Sequence, residues 1–358
     1  MKTIIIIFGL FISSTVLHAQ FEVSSEFYRY SDDNIYNSAF KVSDNIYNTA
    51  LNGAYNFSSN KNTLQVYNQN SMNYYQENIG TSSFFRKYGL ADNLRLSDES
   101  QLNLGINYSI KNNRDVFTLL DFTQISTYGN MRYSFSETDV LTGGYIYNYN
   151  NFNNFSLFSN SVHKTFLRFN SSFETETSLM LSCALSAKLY SAELGNPASQ
   201  AYQLNLYAQV GQSIAENTGL SLYFQLKSNL SQVTRSFVYD NTLFYQDELF
   251  NDVFSNEGYE TGISFTKLFS STLGLKAELV YSKRDYSMLP VLDFDGNIIA
   301  ASRIDNQFGF GLEIQKDLSS YIQSLSAHIN WNYLYNNSND TFYKYDNQLF
   351  SVGLDYAF

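Results

Sequence analysis

Phe350-Ser351-Val352-Gly353-Leu354-Asp355-Tyr356-Ala357-Phe358 closes the sequence, and its residues alternate between apolar and polar or small without a break. Successive side chains of an extended chain point to opposite faces, so Phe350, Val352, Leu354, Tyr356 and Phe358 share one face and the intervening residues the other. The same alternation recurs along nearly the whole chain, and no helical periodicity supplies a layer to cover the apolar faces. Lipid is the cover that such faces imply.

The ending also carries a resemblance. A polar residue, Ser351, is followed two positions later by Gly353 and then by two aromatics spaced by two, Tyr356 and the terminal Phe358. The octet Ser351–Phe358 resembles the C-terminal assembly signal of Gram-negative outer-membrane β-barrel proteins. The resemblance implies recognition by the barrel assembly machinery, with Gly353, Tyr356 and Phe358 as its signal residues, and residence in the cell outer membrane.

The N-terminus agrees on the compartment. Met1-Lys2-Thr3 is a short basic start, Ile4 to Leu17 is mostly apolar, and His18-Ala19-Gln20 offers a small residue for cleavage. This pattern predicts a signal peptide over 1–19 and one barrel domain over 20–358; a retained membrane helix is the alternative, with a run short for a span and no stop-transfer flank. Removing residues 1–19 takes away Lys2 and no acid, so the formal charge of −11 becomes −12. Such acidity argues against nucleic acid as a partner. With one cysteine, Cys183, and three histidines, of which His18 falls in the predicted signal, no disulfide and no Cys or His metal cluster is expected.

Thirty Tyr and 30 Phe against two Pro and one Trp suit strands and turns rather than helices. After the signal no run approaches the ~18 apolar residues of a membrane helix. In hydrocarbon only helices and closed sheets satisfy every backbone group, so a barrel is predicted.

Short polar turns recur between alternating runs: Ser58–Lys61, Ser97–Ser100, Ser136–Asp139, Glu174–Thr177, Ala215–Thr218, Ser270–Thr272 and Lys316–Ser319. Longer Asn-, Asp- and Gly-rich connections fall at 31–45, 77–83, 111–114, 150–158, 192–198, 233–256, 287–301 and 336–341. Short turns on one rim and long loops on the other are the asymmetry of outer-membrane barrels, whose short turns face the periplasm. Seven turns and eight loops make fifteen links, hence an all-β, antiparallel, up-and-down transmembrane barrel of about 16 strands, with 14 to 18 allowed by the irregular segments 21–45 and 77–97. A lipocalin-like barrel needs about eight strands. Two sandwiches in series would need a linker, and none is visible.

Alternation assigns the faces. Leu102, Leu104, Ile106; Leu204, Leu206, Val210; Leu220, Leu222, Phe224; Leu275, Leu279; Phe308, Phe310; and Tyr321, Ile329, Trp331 are expected outside, with Asn103, Asn107, Gln203, Asn205, Gln307 and Asn330 inside. Charged candidates for the lumen are Arg168, Lys188, Lys227, Lys276, Glu278, Glu313 and Asp355, with His328 on the same face; they would either set ion preference along a passage or form a cross-strand ladder that braces the wall. Rings near strand ends, such as Tyr145, Tyr147 and Tyr149, fit a head-group belt.

Catalytic constellations are poor. His328 beside Ser326 and Asn330 suits a polar lumen, and His163 near Ser161 has no acid fixed beside it. No enzyme activity and no cofactor are expected. Asp293-Phe-Asp295-Gly296-Asn297 opens like a calcium loop, but its twelfth position is Ile304, so a turn is the simpler reading.

Ser31-Asp-Asp-Asn34-Ile-Tyr-Asn37 is echoed at Ser43-Asp44-Asn45-Ile46-Tyr47-Asn48. The first copy, preceded by Phe27-Tyr28-Arg29-Tyr30, resembles the Asp-Asp-Asn opening of outer-membrane barrels that accompany exopolysaccharide loci or surface-protein export; a polar loop between the first two strands is the plain alternative. Two functions are therefore expected: a porin-like or substrate-selective channel for small hydrophilic solutes, or a non-enzymatic component of polysaccharide or surface-protein export with periplasmic partners.

Overall fold

The computed structural model describes residues 18–190, 199–231, 233, 236–239, 242–245, 254–293 and 297–357. Residues 1–17 of the predicted signal peptide 1–19, the expected loop 192–198, most of 233–256 and Phe358 lie outside them.

Ten consecutive strands start the wall: β1 (His18–Asp32), β2 (Asp44–Ser58), β3 (Asn62–Tyr75), β4 (Ser83–Arg95), β5 (Ser100–Asn113), β6 (Phe122–Ser134), β7 (Asp139–Phe152), β8 (Asn160–Ser172), β9 (Thr177–Tyr190) and β10 (Ser199–Ala215). After β11 (Thr218–Ser231) a loop carries the small hairpin β12 (Ser236–Tyr239) and β13 (Thr242–Tyr245). Then come β14 (Glu257–Ser270) and β15 (Leu273–Tyr286), a second loop hairpin of β16 (Val291–Leu292) and β17 (Ile298–Ala300), and finally β18 (Arg303–Asp317), β19 (Leu325–Ser338) and β20 (Tyr345–Ala357). Leaving out the loop hairpins, sixteen strands pair antiparallel in chain order and close on themselves.

Closure runs from Ser24 opposite Ala357 to Asp32 opposite Leu349, so no edge is left unpaired along this stretch. Residues 18–23 of β1 pair with β2 alone, and the seam thus uses only residues beyond the predicted cleavage position.

All seven short turns fall on one rim. Their chemistry explains the recurrence of Ser and Asn. The Ser97 hydroxyl accepts from the backbone N–H of Glu99 and Ser100, and Ser136 does the same for Thr138 and Asp139. Glu176 and Asn217 take the left-handed conformation that a tight reversal demands, with φ of 58° and 55°. The last turn corrects the sequence reading. The chain makes one coil over Leu318–Ser324 before β19 begins at Leu325, with Tyr321 N–H donating to the Leu318 carbonyl. Tyr321 therefore stands on the turn, 83% exposed, rather than on the outer face of a strand. Another boundary also moves: the loop expected at 111–114 occupies 114–121 as a short 3-10 turn, because β5 runs on to Asn113.

The two faces of the wall differ as the alternation requires. Leu206, Leu222, Leu279, Phe308, Ile329 and Val352 are exposed, whereas Gln203, Gln307 and Ser351 on the opposite face are buried. The leucines do not meet in a dry centre; they form an outer apolar band. Among the described residues, charges on that outer face stay within three positions of a strand end: Arg29, Arg86, Glu257, Lys283, Asp285 and Asp346 toward the long-loop rim, Asp92, Asp139, Lys267 and Lys316 toward the short-turn rim. Charge is kept out of the middle of the band, as hydrocarbon demands.

Candidate functional site: the inner wall

Register fixes the inner face strand by strand. From β2 after Asp44 to β11, ten strands, the inward positions carry Lys87, Lys111, Arg132, Lys164, Arg168 and Lys227 among other cations and no acid. The remaining six strands place Glu260, Glu278, Asp305, Glu313, Asp355 and Glu26 inward, mixed with Lys276, Arg284 and Arg303. Among the described strand residues the bore is therefore polarised across its width, with only basic charges on one side and largely acidic ones on the other.

The candidates named from sequence sit as follows. Arg168 on β8 lies between Thr142 and Ser182, and Lys227 on β11 between Asn205 and Gly258. Lys188 is buried, its ammonium 4.9 Å from the Tyr190 ring and 6.0 Å from the Phe254 ring. Lys276 pairs with Glu278 at 3.3 Å in a half-exposed contact, which at such exposure contributes little to stability. His328 joins the seam: its Nε2 is 2.8 Å from Asp355 and 3.2 Å from the Ser326 hydroxyl, its Nδ1 is 3.8 Å from Glu313, and Tyr28 donates to Asp355 at 2.8 Å. Serine and aspartate share one ring nitrogen, which is not the relay of an acyl-transfer site. Gly353 faces the Tyr28 ring, and Tyr356 lies on the outer face opposite Leu325. His163 is outside as well, held by the Tyr145 hydroxyl and packed against the Tyr147 ring. Among the described residues no group of His, Cys, Asp and Glu could hold a metal. Asp293 and Asn297 bond each other, Asn297 N–H to Asp293 Oδ1 at 2.8 Å, in a closed turn whose residues 294–296 lie outside the described part.

Long loops fold onto the inner face at their own rim. Phe122 and Phe152, both inward, hold Phe158, which is fully buried, and with it the loop 153–159. Gln203 and Asn229 donate to the carbonyls of Asn256 and Phe254. Arg303 lies 3.8 Å from the ring centres of both Tyr286 and Tyr343, tying the loop 339–344 to the wall. In that loop burial raises the Asp340 carboxyl above its ordinary range, against the Phe342 N–H and Arg303, which act to lower it.

The repeated Asp-Asn motif is absorbed by the first two loops. Asn34, fully buried, donates from its amide to the Ser38 and Asp346 carbonyls, while Asp33 accepts from Gln348 N–H. Its echo Asp44 accepts from the backbone of Gln76, Glu77 and Asn78. On the same loop Lys41 is raised above its ordinary range by its bond to Asp346.

Sequence reading overlooked the inward aromatics. Tyr28, Tyr67, Tyr128, Phe166 and Tyr223 each lie directly across from a glycine: Gly353, Gly89, Gly105, Gly144 and Gly262. Each ring covers its glycine so closely that a Cβ there would collide with it. These pairs stand four to ten residues in from the short-turn end of their strands, and so form a girdle inside the barrel. Tyr207 stacks on Tyr223 at 5.8 Å, and Tyr223 donates to Glu260 at 3.0 Å. An aromatic on the polar parity was a usable signal, but its glycine appears only once register is known.

Sixteen antiparallel strands, an apolar outer band and a polar inner wall define an outer-membrane-type β-barrel. Solved structures agree on the fold. OccAB1 of Acinetobacter baumannii superimposes with a TM-score of 0.58 at 10% identity, covering 97% of this chain and 98% of that one. The outer membrane protein opdK of Pseudomonas aeruginosa gives 0.56 at 9% identity over 95% and 99% of the two chains. Pseudomonas aeruginosa OccK2 (OpdF), solved in complex with glucuronate, gives 0.54 at 9% identity over 95% and 97%. At such identities the likeness is one of fold. No protein-family model matches the chain, and no curated protein matches it.

Proposed function

We propose that the protein is a porin-like, substrate-selective channel of the outer membrane, exported by residues 1–19 and assembled through Gly353, Tyr356 and Phe358, with its short turns in the periplasm. The observation that carries this reading is the transverse polarisation of a bore sixteen strands around. Barrels of this size leave an aqueous passage, and a basic wall facing an acidic one orients a small hydrophilic solute that bears a carboxylate or a dipole. OccK2 (OpdF) in complex with glucuronate and OpdK with vanillate supply carboxylate solutes on the same fold. The export alternative draws no support from the wall, because the Asp-Asn motif that suggested it is occupied in holding loops.

The test is single-channel recording across a salt gradient in planar bilayers. Steady conductance with an anion-leaning reversal potential is expected, and Lys87→Glu with Arg168→Glu should move that potential toward cation preference, most at low salt. A purified barrel that inserts but passes no current would sink the channel reading.

A further inference from the structure

The inner wall between β1 and β6 is hollowed. Inward positions there are small, Ala54, Gly89, Ala91 and Gly105, and the two rings that reach over them, Tyr67 and Tyr128, press so closely on Gly89 and Gly105 that a Cβ at either glycine would collide with the ring. The result is a cavity of about 530 Å³ whose lining includes both rings, the amides Asn52, Gln65 and Gln69, and one charge of each sign, Glu22 and Lys87. Lys87 stands 5.7 Å from the Tyr67 ring centre, and Gln69 is exposed.

This chemistry differs from that of a plain anion path. Aromatic faces present a negative quadrupole to the C–H face of a ring, and amide side chains offer donor and acceptor together, which is what a hydroxyl needs. The volume falls within the range of small-molecule sites, about 300–1,000 Å³.

We propose that this hollow is a saccharide-binding site in the bore, in which pyranose rings stack on Tyr67 and Tyr128 and their hydroxyls bond to Asn52, Gln65 and Gln69. The site takes neutral sugars, because its two charges are opposite in sign. The inference deepens the channel reading and rests on it for access of the solute to the wall.

The experiment titrates the detergent-purified full barrel with maltose, lactose, cellobiose and glucuronate by calorimetry, and records the same sugars' interruption of ion current in bilayers. At least one neutral disaccharide should bind. Tyr67→Ser and Gln69→Ala should each weaken it by about tenfold, near the value of one lost stacking platform, while Tyr67→Phe, which keeps the ring on Gly89, should stay within about threefold. Gln69→Ala touches no glycine seat, so its effect is independent of wall folding, and heat-modifiable migration checks that each variant is closed. Binding of glucuronate alone, of none of the sugars, or unchanged binding by Tyr67→Ser and Gln69→Ala overturns the site. Current without saccharide binding removes the site and leaves the channel, whereas saccharide binding without current keeps the site and removes the channel.

Discussion

Neighbouring residues of one strand show how far the two faces differ. Leu206 and Asn205 are adjacent on β10, yet Leu206 is exposed on the outer band and Asn205 accepts from Gln225 on the inner wall. Arginine at 206 would have to be solvated within hydrocarbon, so Leu206→Arg should lower stability by about 2–4 kcal/mol. Asn205→Arg, which reaches into the polar bore, should stay within about 1 kcal/mol. Reversible unfolding from lipid vesicles in urea measures both, and equal losses would mean that the faces are misassigned. Gln203, expected from sequence on the inner face, lies there but is buried under Asn256, because a loop folds over it. Parity of one strand was legible; what a distant loop sets on top of it was not.

Among the elements, the long loops carry the most tertiary information. The loop 33–43 hangs on the Asn34 amide, whose two donors bridge to Ser38 on the same loop and to Asp346 on β20, and on Asn347, which donates to the Asn34 carbonyl at 3.2 Å. Asn34→Ala would leave those part-buried carbonyls without their donor, at a cost of about 1 kcal/mol. That loss is local: cleavage within 33–43 by added protease should accelerate while the barrel's unfolding midpoint in urea stays unchanged. The turns were the most readable elements, since Ser hydroxyls and left-handed Asn act within two or three residues of themselves. The last turn was misplaced because Tyr321 keeps the alternation of β19 by chance, and only the coil at Leu318–Ser324 shows that the parity there has no strand beneath it.

At the level of the whole molecule, closure makes the barrel one cooperative unit, since each strand is held on both sides and the seam is reinforced inside by Tyr28, Asp355 and His328. The folded chain should therefore resist detergent on a gel until heated and then migrate differently; identical migration before and after boiling would count against a closed wall. Strand number to within two, strand order and the two faces of the regular strands were determined by the sequence alone, because alternation and turn chemistry are local and lipid demands that every strand find two neighbours. The polarised bore, the glycine seats under inward rings and the hollow between Tyr67 and Tyr128 were decided only by the tertiary structure. They depend on which residue stands opposite which across strands far apart in sequence, and that is set by register and closure rather than by any single strand.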